Sequence, residues 1–220
     1  MFNEEMFLLM GEGLLETLYM TLMAAALSYV LGLPLGVILV VTDADGVRPC
    51  APVNRVLGTI VNALRSVPFL ILLFTVIPVT RFVTGTTIGP TATIVPLTIA
   101  AAPFIARMVE GSLKEVDRGV IEASLSMGAS PLQVVWHVLL PEALPSLING
   151  AAIATTPLLG YSAMAGICGG GGLGAIAINY GYYRGETDVM LVMVVILILV
   201  VQAFQFIGER VMRRTDKRIR

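Results

Sequence analysis

Long stretches without a charged side chain organise this chain. No Asp, Glu, Lys or Arg occurs from Thr17 to Thr42, from Phe82 to Ala106, from Ala143 to Tyr183 or from Val189 to Gly208, and Arg65 is the one charge between Val56 and Thr80. A helix needs about 20 mostly apolar residues to cross the hydrocarbon of a bilayer. The run from Ala143 is too long for one helix, but its second half is a glycine cluster. The pattern therefore predicts an all-α polytopic membrane protein with five transmembrane helices, at residues 15–41, 56–79, 88–109, 142–165 and 188–209.

Positive charge then orients the spans. With the amino terminus outside and the carboxy terminus cytoplasmic, the inner segments hold Arg48, Arg55, Arg107, Lys114, Arg118, Arg210, Arg213, Arg214, Lys217, Arg218 and Arg220. The outer side holds only Arg81 and Arg184, so the count is eleven against two in the positive-inside sense. Glu4, Glu5, Glu12 and Glu16 are the reverse of the basic region of a signal peptide, so the first span is expected to be retained. The expected division is an extracytoplasmic start at 1–12, a membrane domain at 13–205 with a polar hairpin at 117–140, and a cytoplasmic basic tail at 206–220.

Composition narrows the classes. Of 220 residues 56% are hydrophobic and 13% charged, with a mean hydropathy of +0.87, which excludes a disordered chain and argues against a soluble domain. The net charge of −1 argues against a nucleic-acid partner, and the basic tail reads as a topology determinant and membrane-lipid anchor. One histidine and two distant cysteines, Cys50 and Cys168, offer neither a metal site nor catalytic chemistry.

The hairpin is the most informative polar segment. Asp117 is placed to cap a helix running to Met127, and Gly128 can take the left-handed conformation that ends it. Ser130 then caps a second helix, with Pro131 at its first position and Gln133 completing a capping box. Ala123 and Ser124 are small enough for another surface to come close, and Glu122 offers a carboxylate. The pattern fits a docking element or an ordinary interhelical loop packed on its own protein. The loop from Asp43 to Asn54 reads only as a turn between spans.

Inside the spans, Gly32, Pro34 and Gly36 suggest a kink and close packing, as do Pro96 and Pro103 in the third span. Arg65 costs about 2.5–3.5 kcal/mol within a span, which predicts a structural role stapling the second span to a neighbour or a cytoplasmic loop. Arg107 and Glu110 are spaced to pair. The fourth span is the most polar, and Thr156, Gly160, Tyr161, Ser162 and Met164 are its best candidates for lining a substrate path. Gly169 to Gly174 lacks the Lys-Ser/Thr of a phosphate loop and reads as a flexible or re-entrant outer connection. Tyr180, Tyr182 and Tyr183 suit an interfacial aromatic belt.

Glu122-Ala123-Ser124, Gly128 and Leu140-Pro141 resemble, in spacing, the signature loop of bacterial binding-protein-dependent ABC importer permeases. Arg65 to Phe69, Ile94 to Thr98, Ala101 to Glu110, Leu139 to Pro145 and Gly160 to Met164 look like the methionine-importer branch of that family, over about Gly13 to Arg213. The resemblance implies a type I importer permease in a bacterial inner membrane, with Glu122, Ala123, Ser124 and Gly128 in a coupling helix docked on an ATP-hydrolysing subunit. It implies a homodimer of this subunit, two ATP-binding cassette ATPase subunits and an external methionine-binding lipoprotein. It implies L-methionine as substrate, with D-methionine and oxidised or formylated relatives as candidate additions. ATP would be bound by the partner, leaving this chain without a cofactor or enzymatic activity. Ser124 and Val138 replace an alanine and an isoleucine of the pattern, and Pro157 is unexpected. The alternative is an ion-gradient-driven transporter or channel, although such proteins place acidic residues at mid-membrane and here they sit at span ends or in loops.

Overall fold

The computed structural model describes residues 4–215, and within them every regular element is helical. Helix α1 spans Glu4–Val41, α2 Ala51–Ser66, α3 Phe69–Thr75, α4 Ile77–Thr84 and α5 Pro90–Lys114. They are followed by α6 Arg118–Ser126, α7 Pro131–Val134, α8 Leu140–Gly166, α9 Gly172–Ile176 and α10 Thr187–Thr215, with π-helical turns at Val135–Leu139 and Ala177–Tyr183. Lys217, Arg218 and Arg220 of the expected tail, and the first three residues, lie outside the described part.

Four helices, α1, α5, α8 and α10, are long and apolar enough to cross a membrane alone. The second expected span is not one straight helix. It is a bent pair, α2 and α3, meeting at 104°, and the count reaches five only if that pair is one span. The cause is local, since the ring of Pro68 drives Val67 out of the helical region and Pro68 itself sits at φ −58°, ψ 135°. By contrast Pro34, Pro96 and Pro103 all lie inside unbroken helices.

The hairpin's far arm, expected to end at 140 ahead of a span at 142–165, also differs. The expected short helix does not stop before Pro141 but runs on into α8 as one helix, Pro131–Gly166. Pro141 has no N–H to give, and the preceding turn widens so that Leu140 N–H reaches Val135 O.

Packing divides the chain into two compact units, with four helices contributing to both. One comprises the chain up to Leu27, Val67–Ala101 and Thr155–Gln205. Its interior includes Met20, Leu97 and Leu158 in one cluster and Met10, Leu173 and Met193 in another, where flexible thioethers fill irregular gaps. Phe69 stacks on Tyr161 at 4.6 Å between ring centroids. The glycine-rich connection belongs here and is hydrogen-bonded to α1. Gly172 N–H donates to the Glu16 carboxylate at 2.7 Å and Leu173 N–H to Thr17 Oγ1 at 2.9 Å. Gly171 and Gly172 have φ of +81° and +76°, a region L side chains avoid, and a methyl on Gly174 would overlap the Ala163 backbone.

The other unit comprises Ser28–Ser66, Ala102–Ala154 and the chain from Phe206. Ile105, Val109, Leu113, Val134, Leu139 and Leu147 are central to its core. Gly32 and Gly36 bring α1 against α5 as their spacing suggested. A methyl on Gly32 would lie 2.8 Å from Ala102 O, and one on Gly36 2.6 Å from Ala106 O.

Candidate functional site

The hairpin is built by its caps. Gly119 N–H donates to Asp117 Oδ1 at 2.7 Å, starting α6. Its end is closed by Met127 N–H on Ala123 O at 3.1 Å, and Gly128 turns the chain at φ +87°. Ser130 N–H then donates to Gln133 Oε1 at 2.8 Å and Gln133 N–H to Ser130 Oγ at 3.4 Å, the reciprocal capping box read from the sequence. Glu122 and Ala123 are exposed, and so are Met127 (83%), Leu132 (67%) and Trp136 (61%). An ordered elbow that leaves this much apolar surface uncovered is suited to a protein partner. Ser124 does not belong to the exposed face. It is buried and its hydroxyl donates to Val120 O at 2.8 Å, so its small size serves packing within the protein.

A ladder of charges anchors the hairpin's root. Arg107 donates to Glu110 at 2.6 Å, to the Asn62 side chain at 3.1 Å and to Gly58 O at 3.0 Å. Lys114 bonds Glu110 at 2.9 Å and Asp43 at 2.7 Å, and Arg118 bonds Asp45 at 2.9 Å. The Lys114 hydrogen bond, helped by Ala44 N–H, holds the Asp43 carboxyl below the usual carboxylate range. The loop after α1 is thus a clamp on the start of the hairpin rather than a bare turn. The i,i+4 spacing of Glu110 and Lys114 signals one rung, whereas nothing local signals Asp43 or Asp45.

Arg65 meets the neighbouring α5 through an aromatic ring and not through a hydrogen bond. It lies exposed in the last turn of α2 with its guanidinium carbon 5.9 Å from the Phe104 ring centroid, and makes no hydrogen bond or ion pair among the described residues. The break at Pro68 leaves it at a helix end, where a cation is tolerated. Arg107 carries the bonds that tie α5 to α2.

The five path candidates separate. Thr156, Gly160 and Met164 follow at intervals of four on one exposed face of α8. Tyr161 is half-buried against Phe69, and Ser162 is buried with its hydroxyl on Leu159 O at 2.8 Å. Both point into the packed interior and line no open path in this conformation. A residue the sequence reading missed joins the open face, since Gln205 Nε2 of α10 donates to Thr156 Oγ1 at 3.2 Å.

These features define a polytopic helical membrane component with a capped hairpin whose far arm continues into one of its candidate spans. A family model described as "Binding-protein-dependent transport system inner membrane component" matches residues 32–220. The probable D-methionine transport system permease protein MetI of Vibrio cholerae serotype O1 is 53% identical over 203 residues, covering 92% of this chain and 90% of that one. The D-methionine transport system permease protein MetI of Escherichia coli K12 is 52% identical over 164 residues, covering 74% and 76%. A chain from a structure described as inward facing conformations of the MetNI methionine ABC transporter superimposes with a TM-score of 0.96 at 49% identity, covering 98% of this chain and 100% of that one. The chain belongs to the family of inner membrane components of binding-protein-dependent transport systems, with the fold of a type I ABC importer permease.

Proposed function

We propose that this chain is the permease subunit of an importer that carries methionine, in both its L- and D- forms, across the bacterial inner membrane at the expense of ATP hydrolysed by a partner. The observation that carries the reading is the exposed, doubly capped elbow at 117–140 in a chain 53% identical to a probable D-methionine permease. Glu122, Ala123 and Gly128, with the apolar rim of Met127 and Leu132, dock on an ATP-binding cassette subunit. Two permeases and two such ATPases form the working complex, and an external methionine-binding lipoprotein delivers substrate. The amino terminus lies outside and the carboxy terminus in the cytoplasm, in keeping with the positive charge distribution. Closing of the ATPases moves the elbows and with them the spans, alternating access to a path lined by Thr156, Gly160 and Met164.

The test is uptake of radiolabelled L- and D-methionine by proteoliposomes holding the full complex. ATP-dependent accumulation of both forms supports the reading. Uptake without the ATPase, driven by an imposed ion gradient, would replace it with a secondary transporter. Accumulation of a different amino acid alone would overturn the substrate.

A further inference from the structure

Gln205 and Thr156 form a hydrogen-bonded polar pair on an exposed face. No charged residue occurs from Val189 to Gly208, yet Gln205 is exposed on α10 and bonded to the exposed Thr156 of α8 at 3.2 Å. A carboxamide facing hydrocarbon would leave donors and acceptors unmet, which is strongly unfavourable there. The face is therefore one that meets polar groups or water. One turn from Thr156, a methyl built on Gly160 would meet nothing within 4 Å, so the space beside the pair is free.

The bonding capacity of the pair is specific. Having given one Nε2 hydrogen to Thr156, Gln205 retains a second N–H and the carbonyl Oε1. The carbonyl suits an ammonium, while the second N–H and the Thr156 hydroxyl suit a carboxylate. We propose that Gln205 and Thr156 are a substrate subsite that receives the zwitterionic head group of an amino acid in transit, with the side chain lying over Gly160 towards Met164. This rests on the importer reading and extends it, because the pair reads the head group and not the side chain.

The experiment places a reporter cysteine at Gly160 in the full complex, with Cys50→Ser and Cys168→Ser. Its labelling by a small charged methanethiosulfonate is followed during ATP turnover, with L-methionine or with its des-amino analogue 4-(methylthio)butanoate. Near-saturating L-methionine should slow labelling about tenfold, and the des-amino analogue should not. Gln205→Leu should abolish the protection while the unliganded cysteine still reacts, and Thr156→Ser should keep the protection that Thr156→Val loses. Equal protection by both compounds, or protection that survives Gln205→Leu, overturns the proposal. So does a cysteine that never reacts, since the face would then be covered by a second copy. Protection by alanine or histidine but not methionine would overturn the methionine assignment and leave the head-group subsite standing.

Discussion

Gly128 allows the elbow to be perturbed without touching any packing. Its φ is +87°, and a methyl placed on it would meet no atom within 4 Å. Gly128→Ala therefore adds only the backbone cost of an L side chain in the left-handed region, about 1–2 kcal/mol. That is roughly a 5–30-fold loss in the population holding the native angle. Gly85 supplies the control, because it closes α4 at φ +76° with equally empty surroundings and stands outside the hairpin. Both variants should lower the midpoint of thermal unfolding in detergent by a few degrees, about 2–4 °C per kcal/mol for a chain of this size. Methionine transported per ATP hydrolysed, measured in proteoliposomes, should fall several-fold for Gly128→Ala and stay at the wild-type ratio for Gly85→Ala. Gly128→Asn, whose side chain tolerates this conformation, should lie between alanine and the wild type. If Gly128→Ala loses stability but transports as many molecules per ATP as the wild type, the elbow's angle plays no part in transmitting the ATPase cycle.

Arg107→Lys should destabilise the protein by about 2 kcal/mol, because a single ammonium cannot reproduce the fork onto Glu110, Asn62 and Gly58; thermal unfolding in detergent reads it, and an unchanged midpoint contradicts the role given to the ladder. The Asp43 carboxyl is held low in the folded state, so its contribution is full above the unfolded value near 3.9 and disappears as pH falls through the folded value. Because the pair is largely solvent-screened that contribution is under about 1 kcal/mol, and Asp43→Asn should remove this part of the acid limb from a stability–pH curve. Gly174→Ala forces a methyl into the Ala163 backbone and should cost about 1–3 kcal/mol. Gly11→Ala, inside α1 with open surroundings, should be neutral or stabilising by up to about 1 kcal/mol in the same unfolding assay.

What could be read in advance was whatever short-range chemistry determines. Charge-free runs located the spans, and the Asp117 cap, the Gly128 turn and the Ser130–Gln133 box were all legible because each is settled within four residues. Pro68 showed the opposite, since one proline bent its span by 104° while Pro34, Pro96 and Pro103 left theirs whole, and nothing in the local sequence separates the cases. Side-chain direction was equally hidden. Ser162 and Thr156 are both hydroxyls in one helix, but six positions carry them to different faces, one buried and one open. Gln205 drew no notice because its partner lies 49 residues away in sequence, and Asp43 and Asp45 met Lys114 and Arg118 only through folding.

The uninterrupted helix from Pro131 to Gly166 has a geometric corollary. Its 36 residues measure about 54 Å at 1.5 Å per residue, and no linker divides the end beside the Ser130 cap from the segment bearing Thr156, Gly160 and Met164. The widened turn before Pro141 is what keeps the backbone bonded where the proline supplies no donor, so the run carries no gap in its hydrogen-bonded chain.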